Sequence, residues 1–349
     1  MLELLATVAL GLVIYRLLSR DPLAQYDKPE GECFPSADNS SSLQSIKSDI
    51  KSYHDQVHKL PLRAQIDYLR QSLDGYFDKV HKAADFQPID DPNIRGEWVL
   101  APNVDCSRRL LYIHGGAFYV GSARSHRVIT SRLSEIANCA VLAIDYRLMP
   151  EHKRSQGIED CRMAYDWLLT HDPLGKSRRT TAVFIAGDSA GGNLTLSLLN
   201  WIRDTQRPVP SAAVALSPLT DMSMRNPSVK INSEHDVMFR PLYKLLNRFP
   251  RILVMILSYF TTGYRPRHPD ISPIYDDLVN LPPILVHASE HEMLRDDGRR
   301  YVNKAKQAGT DARLQLWRHM PHVWHIFYPD LPEADQAFEQ IRLFVNQHS

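Results

Sequence analysis

A serine framed by glycines, a His-Gly-Gly turn and two clusters of acids and histidines are the residues here whose types and spacing can do chemistry. Gly187-Asp188-Ser189-Ala190-Gly191-Gly192 follows a short apolar run and precedes a helix-length stretch, 194–202. A serine on a tight strand-to-helix turn has its hydroxyl exposed above the sheet, and flanking glycines permit the close approach that turn requires. At a helix N-terminus, free amides favour developing negative charge. His114-Gly115-Gly116-Ala117-Phe118 ends another apolar run, and a glycine-rich backbone there can aim N–H groups at a tetrahedral oxyanion. A serine hydroxyl is a poor nucleophile without an imidazole, and the imidazole needs a carboxylate to fix its tautomer. Glu290, Glu292, Asp296 and Asp297 follow one later apolar run, and His319, His322 and His325 follow the next. The order serine, acid, histidine suits acyl transfer on an α/β sheet, but spacing alone does not choose within either cluster.

The elements that must hold these residues are legible as punctuation. Apolar runs at 110–113, 140–144, 182–186, 212–216, 284–288 and 312–316 alternate with helix-length segments. That rhythm predicts a mainly parallel sheet covered by helices on both faces. Ahead of it, 31–45 reads as a polar linker, and Ile46, Ile50, Tyr53 and Val57 predict a helix. Pro61 restarts the helical pattern, which continues through Ile66, Leu69 and Leu73 to about residue 82. The run ILVMILSYF at 252–260 is too short to span a bilayer and reads as a buried helix or an exposed apolar lid.

Composition excludes several classes. Of 349 residues, 44% are hydrophobic, and 41 basic against 40 acidic residues leave a net charge of +1. A chain so balanced is neither bulk-disordered nor marked as a nucleic-acid binder. Its four scattered cysteines, Cys33, Cys106, Cys139 and Cys161, exclude a zinc ribbon or a disulfide scaffold. Residues 2–18 are apolar apart from Glu3 and Arg16, about 25 Å of helix at ~1.5 Å per residue. Basic residues follow that run instead of preceding it, and no small-residue cleavage site is present. An uncleaved membrane anchor over residues 1–20 is therefore expected, with a surface-packed amphipathic helix as the alternative. Arg16 and Arg20 favour a cytosolic body by the positive-inside rule.

His114-Gly-Gly-Ala117-Phe, Asp145-Tyr-Arg-Leu-Met-Pro-Glu151-His152, Gly187-Asp-Ser-Ala-Gly-Gly192 and Met320-Pro-His322 together resemble the hormone-sensitive-lipase-like esterases of the α/β-hydrolase fold. The resemblance runs over roughly residues 98–346. It implies cofactor-free hydrolysis of small-molecule carboxylic esters by Ser189, Glu292 and His322. It implies oxyanion donors at Gly116, Ala117 and Ala190, with His114, Gly115 and Asp188 organising the loops. Asp145, Tyr146, Arg147 and Glu151 would form a structural turn, and His319 and His325 would be packing or surface groups. It also implies a cap made from the N-terminal helices within 21–97 and an insertion at about 222–268 in a catalytic domain of 98–349. Two departures stand out: Ala117 replaces the usual third glycine, and the acid is Glu where Asp is commoner. Amide cleavage by the same machinery, or ligand binding without turnover, are the competing readings. No nucleic-acid partner is expected, and oligomeric state is not legible.

Overall fold

The computed structural model describes residues 21–36, 40–77, 84–175, 179–249 and 251–349. The apolar segment 1–20, and with it the expected anchor, lies outside the described residues. In chain order the described elements are β1 (Glu32–Phe34), α1 (Ser41–His58), α2 (Leu62–Phe77), β2 (Asp85–Pro88), β3 (Gly96–Leu100), β4 (Arg108–Ile113), α3 (Arg127–Ala137), β5 (Ala140–Ile144), α4 (Arg154–Thr170), β6 (Ala182–Asp188), α5 (Ala190–Asp204) and β7 (Ala212–Leu216). There follow α6 (Pro227–Ile231), α7 (Arg240–Leu246), α8 (Arg251–Thr262), β8 (Ile284–Ser289), α9 (Arg295–Gln307), β9 (Ala312–Trp317) and α10 (Pro332–Gln347).

The strands form one sheet in the order β1-β9-β8-β7-β6-β4-β5-β3-β2. All neighbours pair parallel except β3, which runs antiparallel to both β2 and β5. The six apolar runs are the strands β4 to β9, and their central members are buried along their whole length. Continuous burial is what strands covered on both faces require. Alternate residues of β4 divide between two cores: Leu111 and Ile113 pack with α4 and α5, whereas Leu110 and Tyr112 pack with α3 and α10.

The segment read as a polar linker holds a strand. Glu32, Cys33 and Phe34 pair with Gln315, Leu316 and Trp317 of β9, and Phe34 stacks on Trp317 with ring centroids 4.4 Å apart. Three residues are too few for a periodicity signal. The strand β2 carries no apolar run, and that of β3, Trp98-Val99-Leu100, follows directly on Gly96 and the charged Glu97. Glu97 of β3 is buried because Arg127 of α3 meets its carboxylate at 2.5 Å.

Helix α1 begins where Ser40 caps it by accepting from the Leu43 amide. Its buried face, Leu43, Ile46 and Ile50, packs on Trp317, Met320 and Trp324. The N-terminal helix thereby buttresses the loop that carries His322. Helix α2 is tied in by Arg70, whose guanidinium bridges the Tyr119 and Met149 carbonyls and the Glu151 carboxylate.

Candidate active site

Ser189 stands between β6 and α5 with φ +51° and ψ −114°, a left-handed conformation costly for any residue with a Cβ. Its amide donates to the Leu216 carbonyl of β7 at 2.7 Å, so the neighbouring strand helps to hold the strain. The glycines are demanded by space. A Cβ on Gly191 would lie 1.9 Å from the Ile113 carbonyl oxygen, and one on Gly187 2.6 Å from that of Gly191. Asn193, one turn into α5, donates to the Leu219 and Ile271 carbonyls and accepts from Arg154 at 2.8 Å.

The His114 loop reaches the elbow through Asp188. That buried carboxylate accepts from the Gly115 amide at 2.9 Å and the Tyr112 hydroxyl at 2.6 Å, with His126 Nε2 at 3.4 Å. Burial pushes the Asp188 carboxyl up, but His126, Tyr112 and His114 outweigh it and hold it below its usual range. A Cβ on Gly115 would fall 2.1 Å from Asp188 Oδ2, which explains the glycine. Gly116, Ala117 and Phe118 all have positive φ, a run that turns successive amides inward. No acceptor among the described residues engages the Gly116, Ala117 or Ala190 amide. His114 stacks on Tyr146, whose hydroxyl donates to the His114 carbonyl at 2.9 Å. Burial pushes His114 down to about 4, so it is neutral at pH 7. Arg154 lies 3.6 Å above the Phe118 ring and holds the far side of the loop.

Four carboxylates follow β8, and they have four different partners. Glu290 faces Arg318 at 3.1 Å. Asp296 meets Arg295 and Arg299, each at 2.9 Å, and accepts from the Ser228 amide. Asp297 accepts from the Thr220 and Asp221 amides and from Asn226, and burial pushes it up to about 8. Glu292 Oε2 lies 2.6 Å from His322 Nδ1, while its Oε1 accepts from the Ser289 amide at 2.8 Å. Burial lowers the affinity of His322 for a proton, but the bond to Glu292, its charge, and those of Asp236 and Asp188 win. The imidazole pKa is raised above its ordinary value. His322 Nε2 is buried with no hydrogen-bond partner among the described residues.

The other two histidines have other surroundings. His325 is buried against His287, Nε2 to Nδ1 at 3.0 Å, and burial holds both rings neutral at pH 7. His319 sits with its ring 4.7 Å from that of His291. These two, with His322, Glu292, His235, Asp236 and Lys47, line a cavity of about 220 Å³ behind the acid loop.

Asp236 is the group that sequence reasoning missed. It is 4% exposed, with one oxygen accepting from the Met293 amide at 2.7 Å and the other from the Met238 and Phe239 amides. It thus ties the residue after Glu292 to the segment carrying Phe239, whose ring sits edge-on to His322 at 4.6 Å. Asn232 adds two bonds, to the Glu290 and Glu292 carbonyls. Nothing local in the sequence marks their link to the acid loop, because the Met293 amide and the Glu290 and Glu292 carbonyls lie some sixty positions away. No set of three His, Cys, Asp or Glu residues among those described is arranged to hold a metal ion.

A strained serine at the carboxyl end of a central parallel strand, with a carboxylate–imidazole pair on loops after two later strands, is the arrangement of an α/β-hydrolase. Residues 110–326 match the family described as alpha/beta hydrolase fold. An acetyl-hydrolase of Streptomyces hygroscopicus is 36% identical over 252 residues, 71% of this chain and 78% of that one. An esterase of Acinetobacter venetianus is 31% identical over 258 residues, 74% and 80% of the two chains. The crystal structure of an esterase from the bacterial hormone-sensitive lipase family superposes with a TM-score of 0.76 at 33% identity, covering 89% of this chain and 99% of that one. The chain belongs to the α/β-hydrolases, in their hormone-sensitive-lipase-like branch, and is a carboxylic ester hydrolase.

Proposed function

We propose that Ser189 is the nucleophile of a Ser189–His322–Glu292 triad that hydrolyses hydrophobic or short- to medium-chain carboxylic esters through an acyl-enzyme. The observation that carries this reading is the 2.6 Å bond from Glu292 to His322 Nδ1. It fixes the tautomer and leaves Nε2, buried and unpartnered, to take the serine proton. Ser189 Oγ attacks the ester carbonyl as His322 Nε2 removes its proton. The amides of Gly116, Ala117 and Ala190 hold the oxyanion, and losing one such donor typically costs about 3 kcal/mol. His322 then protonates the departing alcohol. Water, deprotonated by the same nitrogen, attacks the acyl-enzyme and releases the acid with Ser189 restored. The acetyl-hydrolase and esterase relatives support ester over amide as the substrate bond.

The same proposal assigns 1–20 to membrane attachment, 98–349 to the catalytic body and about 222–268 to a cap. The methyl of Ala117 sits beside the oxyanion and narrows the acyl or alcohol groups accepted. The test of the nucleophile is Ser189→Ala assayed on a water-soluble ester and with a fluorophosphonate probe. Both turnover and labelling should vanish, since only an activated serine forms that adduct. Stoichiometric labelling of the variant would overturn the assignment.

A further inference from the structure

Helix α8 is apolar around most of its circumference, and much of that surface is left in water. Leu253, Ile256, Leu257 and Phe260 follow the i, i+3, i+4, i+7 spacing of a single helical face. Each is about half exposed or more, and Phe260 reaches 78%. Tyr259 stands edge-on beside Phe260, and exposed Leu245 and Phe249 extend the set toward α7. Among the described side chains of α8, those from residue 253 on, none joins any of the three apolar clusters. Large apolar residues grouped in this way mark an interaction surface, whereas scattered single ones do not.

The charge pattern says what kind. From residue 237 to 269 the sequence has no Asp or Glu and six cations: Arg240, Lys244, Arg248, Arg251, Arg265 and Arg267. The whole chain is nearly neutral, so this is a local excess. Arg240 pairs with Glu234, while exposed Lys244, Arg248 and Arg265 have no acidic partner among the described residues. Lys244 and Arg248 are interleaved with Leu245 and Phe249. A second copy of this chain fits poorly, because a twofold contact would set the same cations against themselves. Twelve residues of helix span about 18 Å, well short of a bilayer's hydrocarbon core. A short helix with an apolar face and flanking Lys and Arg suits the plane of a lipid interface.

We propose that the exposed face of α8 and the cationic segment around it form a docking surface for a bilayer that bears anionic phospholipids. The surface would seat the enzyme with Phe239, which immediately precedes α7 and touches His322, close to the lipid from which apolar esters partition. The inference depends neither on the triad nor on the segment 1–20.

The test uses the full chain with the exposed Cys33 replaced by Ser; the other three cysteines are buried. An environment-sensitive fluorophore is placed on Phe260→Cys or, as control, on Leu343→Cys, an exposed leucine of α10. Phosphatidylcholine vesicles containing phosphatidylserine should blue-shift the probe at 260 and expose it to quenching by bilayer-embedded nitroxides. The control probe should not respond, and phosphatidylcholine alone should act weakly. Lys244→Gln and Arg248→Gln should each weaken docking read at position 260 by about fivefold. Thermal unfolding and hydrolysis of a water-soluble ester, measured on every variant, keep a failed fold or a failed triad separate from failed docking. A probe at 260 that stays in water while the protein sediments with vesicles overturns the proposal. So does a lipid-free blue shift that grows with protein concentration, which would instead identify a second copy as the occupant.

Discussion

Helices α5 and α8 are both rich in large apolar residues, yet one is the most enclosed helix around the site and the other is largely uncovered. In α5, Leu194, Leu196, Leu198, Leu199 and Ile202 are each at most 3% exposed. In α8, Leu253, Ile256, Leu257 and Phe260 are each at least 47% exposed. The difference lies in the neighbours. Helix α5 starts on the central strand β6, and its first turn is held by carbonyls of 219 and 271 and by Arg154. Helix α8 sits within an insertion between β7 and β8, where no sheet face remains to receive it. Apolar composition expresses a demand for burial, and chain topology decides whether anything answers it.

The comparison can be broken most severely at the chemistry the enclosed region serves. Glu292→Gln should fold normally but lose turnover on the order of 10⁴-fold, because the amide supports the wrong imidazole tautomer. Asp296→Asn should cost far less, since Asp296 meets arginines and the Ser228 amide instead of His322. Steady-state kinetics on both variants decide it. If Asp296→Asn is the more damaging at equal stability, the assigned carboxylate is wrong. The next effect is on stability. Leu199→Ala should cost about 2–5 kcal/mol as a buried cavity, whereas Leu257→Ala should stay within about 0.5 kcal/mol. Equal losses in denaturant unfolding would mean that α8 is covered in solution.

A smaller effect is expected from pH. In the proposed triad the His322 imidazole must be neutral to accept the serine proton, so activity should fall as pH drops through its pKa. That pKa is raised, chiefly because the bond to Glu292 outweighs burial, and the acid limb of kcat/KM should lie above that of an ordinary histidine. Glu292, Asp236 and Asp188 are the charges acting on it, with His235, His291, His319 and Lys47 lining the cavity beyond. Asp236→Asn removes one negative charge and should move the limb to lower pH. A profile left in place, with kcat merely reduced, would reduce Asp236 to a scaffold for the Met293 amide.

Much of this could be read from the chain, and the limits have physical causes. Six strands announced themselves as apolar runs because both of their faces are buried. The edge strands β1 and β2 and the adjoining β3 did not, being short or carrying polar residues such as Glu97, whose burial depends on Arg127. The serine elbow and the His-Gly-Gly turn were legible because their glycines are local steric requirements. The choice among Glu290, Glu292, Asp296 and Asp297 was not legible from spacing, since these acids lie within eight residues. What separates them is supplied from elsewhere: Arg318, His322, Ser228 and Thr220. Asp236 and Asn232 were invisible for the same reason. The run at 252–260 left burial and exposure open because hydrophobicity says nothing about neighbours.

The pairing of β1 with β9 also bears on when the enzyme can become complete during synthesis. Glu32, Cys33 and Phe34 have as partners residues 315–317, and the Ser36 hydroxyl donates to the Arg318 carbonyl. Leu43, Ile46 and Ile50 pack on Trp317, Met320 and Trp324, the stretch that carries His322. On a ribosome adding ~5–20 residues per second, the first strand therefore waits tens of seconds for its partner to be made. Until then Leu43, Ile46 and Ile50 of α1 lack the residues they pack on, and the imidazole loop lacks its support. The site is finished only when residues 32–50 have met residues 315–324.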